Sequence, residues 1–246
     1  MIDGKKITSK VQIANEFNDF FSNVGINLAR KIEKQNCYCQ LPVFNNKTFY
    51  LDPISSSEIN KTIFELPDKS GGVDKINTKV LKNIAYYIAI PLEHIFNLCI
   101  SKGFWPTSLK SAEVVPMFKS GNRYLSTNYR PISLISNIAK IFEKLIHHRI
   151  SKFLKKCNLL SDKQYGFRKE KGTNNALSFV SNLIHTNMNN DVPIIATFLD
   201  LQKAFDTVNF NILFKKLYRY GIRGMALDLL KDYLTNRIQR VRVDNI

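Results

Sequence analysis

The residues best placed to do chemistry stand together in Ile194 to Val208, IIATFLDLQKAFDTV, where an apolar run of β-branched and aromatic residues stops on one carboxylate, Asp200. A strand buried on both faces reads as a continuous apolar run, and an acid set where such a strand emerges is held rigidly. Two kinds of phosphoryl chemistry use that arrangement. In a nucleotide hydrolase the acid would hold Mg²⁺, but that class needs a G-x-x-x-x-G-K-[ST] phosphate loop, and no such string occurs in this sequence. In a polymerase-type site, carboxylates hold two metal ions that clamp the attacking and leaving oxygens. A structural reading competes with both, in which Asp200 only caps the following turn or pairs with a lysine. Asp206, six residues on, has the stronger structural claim, as the cap of a helix expected to begin near Asn209.

Cationic and aromatic residues gather in two further stretches. VVPMFKSG followed by NYRPISLISNIAKIFEKLIHHRI puts Lys119 and Arg130 on a strand-loop-strand element. A point-charge ammonium and a guanidinium fork there suit triphosphate oxygens, with solvated loop cations as the plain alternative. QYGFRKEKGTNNAL presents Gln164, Phe167 and Arg168 ahead of a helix, an aromatic and basic grouping suited to a nucleic-acid strand. His147 and His148 are adjacent on an expected helix, point in different directions and make a poor metal pair. Cys37, Cys39, Cys99 and Cys157 are too few and scattered for a disulfide framework, and Cys37-Tyr-Cys39 has no second pair at zinc spacing. Reduced thiols in an intracellular protein are expected.

Several elements must position these groups. Apolar residues recur at three- and four-residue steps from Ile13 through Phe17, Phe20, Val24 and Leu28 to Ile32, which predicts an amphipathic helix from Ser9 to about Lys34. The Asn-rich stretch 33–48 breaks that period and reads as a linker. Ser55 and Glu58 have capping-box spacing before a short helix that ends near Pro67, and a glycine-hinged loop, DKSGGVDKIN, follows. A helical region from about Thr78 is interrupted near Pro91. AEVVPMFK reads as a strand, SGNRYLSTNYRPISL as a basic loop, and Ser136 to Lys156 as a long amphipathic helix. A second basic loop leads into a helix from about Asn174 to Met188. The strand ending at Asp200, two more helices and a final strand at IQRVRV complete the chain. Alternating helices and well-separated strands give a mixed α/β or α+β protein without internal repeats.

The whole chain of 246 residues carries 36 Lys plus Arg against 20 Asp plus Glu, a net charge of +16, and 44% hydrophobic residues. A core is expected, under a positive field that favours a polyanion such as nucleic acid over a neutral partner. The first residues contain no apolar signal core, and no run of about 18 apolar residues occurs, so neither secretion nor membrane spanning is expected.

Taken in this order, the blocks VVPMFKSG, NYRPISLIS…FEKLIHHRI, LSDKQYGFRKEKGTNNAL and ATFLDLQKAFDTVNFNILFKKLYRYGI closely resemble the reverse transcriptase domain of non-LTR (LINE-type), jockey-like retrotransposons. The N-terminal IANEFNDFFSNVG is similar to the segment that joins such domains to an upstream endonuclease. The resemblance implies a right-hand polymerase fold, with an N-terminal helical linker segment over 1–48, a fingers-like region over 49–160 and the start of a palm, incomplete, over 161–246. It implies Asp200 as the first metal-binding carboxylate, with Mg²⁺ as cofactor. Phe205 is implied as the residue that crowds the sugar 2′ carbon and selects deoxynucleotides, although a core aromatic is the competing reading. Lys119 and Arg130 would meet the incoming triphosphate, and Gln164, Gly166, Phe167 and Arg168 would face the template. The implied partners are an RNA template, a DNA primer and deoxynucleotide triphosphates, in the nucleus and cytoplasm and away from membranes. One departure matters. The family's aromatic-x-Asp-Asp hairpin is absent, since no Asp-Asp pair occurs in the sequence, and it is expected beyond Ile246. A chain without it reads either as the front portion of the polymerase or as a catalytically dead nucleic-acid-binding remnant of a decayed element, with a functionless relic as a third possibility.

Overall fold

The structure is a computed structural model and describes residues 7–31 and 46–243. It is a mixed α/β arrangement in the order α1 (Lys10–Arg30), α2 (Ser56–Phe64), α3 (Thr78–Asn83), α4 (Ala85–Lys102), β1 (Ser111–Phe118), β2 (Tyr129–Ile135), α5 (Asn137–Lys156), α6 (Thr173–Met188), α7 (Phe210–Arg219), α8 (Gly224–Leu234) and β3 (Ile238–Val241). Most of the stretch expected to be a linker, 33–48, lies outside the described residues.

The core forms where α2, α4, α5 and α8 turn their apolar faces together, around Ile59, Ile63, Phe96, Ile141, Phe142 and Leu229. The side chains buried along α5 include Ala139, Phe142, Ile146 and Arg149, at three- and four-residue steps, as one face of a helix requires. Ser136 starts that helix by accepting the Ile138 N–H. Rings stack through the centre: Phe96 on Phe142 at 4.4 Å, Trp105 on Phe142 at 4.3 Å, and Tyr233 against Trp105 at 4.6 Å. The capping box of α2 is present, with Ser55 accepting from the Glu58 N–H and the Glu58 carboxylate accepting from the Ser55 N–H. Arg149 reaches across from α5 to the Asp52 and Pro53 carbonyls and to Glu58, at 2.8, 2.7 and 2.9 Å. Burial pushes the Glu58 carboxyl up, but the Ser55 N–H and the Arg149 guanidinium outweigh it and hold the group below its usual range.

Among the described residues the sheet has the order β2-β1-β3. β1 and β2 run antiparallel with Val114 opposite Ser133 and Met117 opposite Arg130, while β3 lies parallel to β1 with Ser111 beside Ile238. β1 and β3 stand where expected, and β2 is the second strand of the expected strand-loop-strand element; it takes up the end of the stretch read as a basic loop, because PISLI supplies apolar and β-branched residues that pair along β1. The expected break at Pro91 lies at Ile84 instead, and α4 runs straight through the proline. The carbonyl that the missing Pro91 N–H leaves without its helical partner is that of Tyr87, and both residues lie on the exposed face of α4, where solvent can reach it.

The largest correction concerns the strand expected to end at Asp200. Residues 192–200 form no strand, and Ile195, Phe198 and Leu199 are 90% or more exposed. A strand exists only beside a partner that takes its N–H and C=O groups, and among the described residues no strand runs beside this segment. Helix α6, just before it, buries none of its residues. The expected cap of α7 is also corrected. Asn209 accepts the Ile212 N–H at 3.2 Å, and Asp206 lies three residues too early to do so.

Candidate functional site

Asp200 stands exposed at the entrance to a compact turn over 202–207. The Asp206 N–H donates to the Lys203 carbonyl at 2.9 Å, and the Thr207 hydroxyl closes onto the Lys203 and Ala204 carbonyls. Lys203 sits in the left-handed region at φ 49°. Helix α1 supports this turn. A Cβ on Gly25 would lie 2.2 Å from the Asp206 carbonyl oxygen, so the helix and the turn meet at the one place where a side chain is absent. The Lys203 ammonium lies 4.8 Å over the Phe20 ring. The same helix touches the sheet through Phe17, edge-on to Tyr129 at 4.8 Å, and through Ser22, which accepts from Gln239.

The loop that follows α5 is braced from within. Arg168 donates to the Ser161 carbonyl at 2.6 Å and Lys171 to the Asp162 carbonyl at 2.5 Å, with the Lys171 ammonium 5.4 Å over Tyr165. Gln164 turns back to the Gly166 carbonyl at 3.4 Å. Phe167 holds φ 59° and exposes 89% of its surface, an unusual backbone state for a bulky residue. Its ring meets Phe205 edge-to-face, with centroids 5.8 Å apart and planes at 89°. Two positions singled out separately in the sequence are therefore in contact.

Lys119 and Arg130 share one face of the β1-β2 hairpin as diagonal neighbours, because Arg130 lies opposite Met117 and the Lys119 N–H closes on the Asn128 carbonyl at 2.9 Å. Both side chains are exposed. Among the described residues no hydrogen bond or ion pair joins either cation to Asp200, and no group of three His, Cys, Asp or Glu side chains could hold a metal ion. The structure thus brings Phe167 against Phe205, sets Lys119 and Arg130 on one hairpin face, and leaves Asp200 outside both pairs. Sequence reasoning missed the part played by α1 beneath the turn; the only sign of it was a glycine inside an amphipathic helix.

Among the described residues no helix is long and apolar enough to cross a membrane. A family model described as reverse transcriptase (RNA-dependent DNA polymerase) matches residues 118–245. The chain is 32% identical over 200 residues to the probable RNA-directed DNA polymerase from transposon BS of Drosophila melanogaster, covering 79% of this chain and 22% of that protein. It is 29% identical over 219 residues to the RNA-directed DNA polymerase from mobile element jockey of the same fly, covering 88% of this chain and 23% of that protein. A probable RNA-directed DNA polymerase from transposon X-element of Drosophila melanogaster is 28% identical over 194 residues, covering 78% and 21%. The chain spans about a fifth of the length of these curated relatives.

Proposed function

The chain belongs to the reverse transcriptase family, in its LINE-type retrotransposon branch, and from that premise we propose that it is the front portion of an RNA-directed DNA polymerase that extends a DNA primer on an RNA template. In this reading residues 1–48 are a helical lead-in, 49–160 belong to the fingers and 161–246 open the palm. The contact of Phe167 with Phe205 carries the proposal, since it supports one place where a template base and an incoming sugar meet. Phe205 crowds the 2′ carbon, and Phe167, Gln164 and Arg168 face the template. Lys119 and Arg130, on one hairpin face, take the triphosphate oxygens. Gly166 fits the same reading: a Cβ there would meet nothing within 4 Å, so the packing of this chain gives no reason for glycine, whereas close approach of a nucleic-acid backbone does.

Reverse transcriptases generally use divalent metal ions, and Mg²⁺ is the ion proposed here. It would neutralise charge between the primer oxygen and the triphosphate. Mg²⁺ is usually bound by one or two carboxylates together with substrate phosphates. Asp200 is a hard oxygen donor, exposed and of the right type, but as a lone carboxylate it does not complete a site. The nucleus and cytoplasm are the proposed locations.

The test is primer extension on an RNA template by this chain continued through the second carboxylate motif. Extension should occur there and be lost in Asp200→Asn, while Asp206→Asn, whose residue lies in the turn braced by α1, keeps substantial activity. The isolated 246-residue chain should extend nothing. Extension by that chain which persists in Asp200→Asn would refute the assignment. One observation favours a second reading, a catalytically dead nucleic-acid-binding remnant: the exposed, unpaired segment 192–200 that leads to Asp200. RNA binding without extension by the continued polypeptide would select it.

A further inference from the structure

We propose that the recess between α5, α8 and Trp105 binds a small aromatic anion, with its ring against the apolar wall and its carboxylate or sulfonate at Lys140 and Lys144. The recess encloses about 570 Å³ and its wall is built largely from Trp105, Tyr233, Ile146, Ile150 and Leu230. That volume lies within the range of about 300–1,000 Å³ of small-molecule sites, which are mostly apolar with a few convergent polar groups. The two aromatic side chains offer a flat ring an offset or edge-to-face partner. Lys140, Lys144 and His147 follow one another along α5 at four- and three-residue steps, so they line one edge of the recess over about 10 Å at about 1.5 Å per residue. None of the lining residues is among those given a part in polymerisation, so the inference goes beyond that reading.

Charge and hydrogen bonding select the ligand. Lys144 makes no ion pair among the described residues, and the Lys140 ammonium donates to the neutral Asn137 side-chain oxygen at 2.9 Å. Burial and the neighbouring Lys69 push the Lys140 ammonium below its ordinary value, against the pull of Asp74 and Glu143, so its charge is under-compensated and an anion beside it is favoured. Glu143 is the acid of the wall. It already accepts the Tyr233 hydroxyl at 2.8 Å, and burial pushes its carboxyl up, so it opposes an anion less than an exposed acid would. Trp105 adds an independent sign. It is only 2% exposed, and its indole N–H finds no acceptor among the described residues, a cost that a ligand oxygen within reach would relieve.

Trp105 is the single tryptophan of the chain, so its fluorescence reports directly on the recess. Titration of the 246-residue chain with anilinonaphthalene sulfonate, and with phenylnaphthylamine as the same kind of ring body without the charge, tests the proposal. The sulfonate should quench Trp105 saturably. Lys140→Gln/Lys144→Gln should weaken the sulfonate about tenfold, as loss of charge-assisted hydrogen bonds does, and leave the neutral probe unchanged. Leu230→Phe, which puts a larger side chain into the wall, should weaken both probes. Lys79→Gln/Lys102→Gln removes the same charge from exposed positions on α3 and α4 and should bind as the parent does. Added salt should weaken the sulfonate and not the neutral probe on the parent chain, a measurement that needs no variant. Circular dichroism and melting temperature confirm that each variant is folded. Equal loss in the two double variants would overturn the site in favour of diffuse attraction. Equal affinity for the two probes would overturn the anion, and a sulfonate that brightens without quenching Trp105 would overturn the recess in favour of another apolar surface. No primer or template enters the measurement, so its outcome is separate from that of the polymerase assignment.

Discussion

Phe205 exposes 77% of its surface, and among the described residues its ring contact is the edge-to-face meeting with Phe167. A core aromatic truncated to valine leaves a cavity costing on the order of 3 kcal/mol, but an exposed ring leaves none. Phe205→Val should therefore change the stability of the isolated chain by no more than about 0.5 kcal/mol, the usual range for surface substitutions. In a polypeptide continued through the second carboxylate motif the same change should admit ribonucleotides while sparing deoxynucleotide addition. Incorporation ratios measured beside denaturant unfolding check both halves; a large stability loss with unchanged sugar choice would return Phe205 to the core. At this scale the types and order of Asp200, Phe205 and Phe167 were legible in the sequence, but the Phe167-Phe205 contact was not, because nothing local brings together residues on two different loops. The cap of α7 was misread for a smaller reason. Asp206 and Asn209 are both good capping residues, and only backbone geometry decides which stands next to the first helical turn.

Helices were the most legible elements because period and capping are local properties: α1, α2 and α5 stand close to their expected bounds. The segment before Asp200 was not legible in the same way. Its apolar run states that it wants burial on two faces, whereas strand formation depends on a neighbour that sequence pattern alone does not supply. Helix α1 permits a test whose sign decides. At an exposed helix position Gly→Ala stabilises by about 1 kcal/mol. At Gly25 the added methyl would meet the Asp206 carbonyl oxygen, and overpacking of that kind costs about 1–3 kcal/mol. Gly25→Ala should thus lower the denaturation midpoint and expose the 202–207 turn to proteolysis. A raised midpoint would show that α1 does not rest on that turn.

For the molecule as a whole, the strongest ties join parts that are far apart in sequence. Asp232 on α8 accepts the Trp105 N–H at 2.6 Å and the Lys110 ammonium at 2.7 Å, and Lys110 is only 4% exposed. Burial pushes the Asp232 carboxyl up, but the Lys110 ammonium and the Trp105 N–H together hold it below its ordinary value. Its contribution to stability is therefore present above the unfolded value of 3.8 and is lost as pH falls through the lower folded value. Asp232→Ala should cost about 3 kcal/mol in denaturant unfolding at neutral pH, since it strands a buried ammonium. Lys110→Met/Asp232→Leu should lie nearer the parent, and the difference between the parent and Asp232→Ala should shrink in acid. A small effect at neutral pH would show that water reaches Lys110. The parallel pairing of β1 with β3 spans the same distance, with 119 residues between Phe118 and Ile238. At synthesis rates of about 5–20 residues per second, β1 waits roughly 6–24 s on the ribosome before β3 exists. Through that interval β2 can cover one edge of β1 while the other stays open, so the nascent chain is at its most vulnerable to holdases, proteases and wrong partners while α6 and the apolar run at 194–199 are being made.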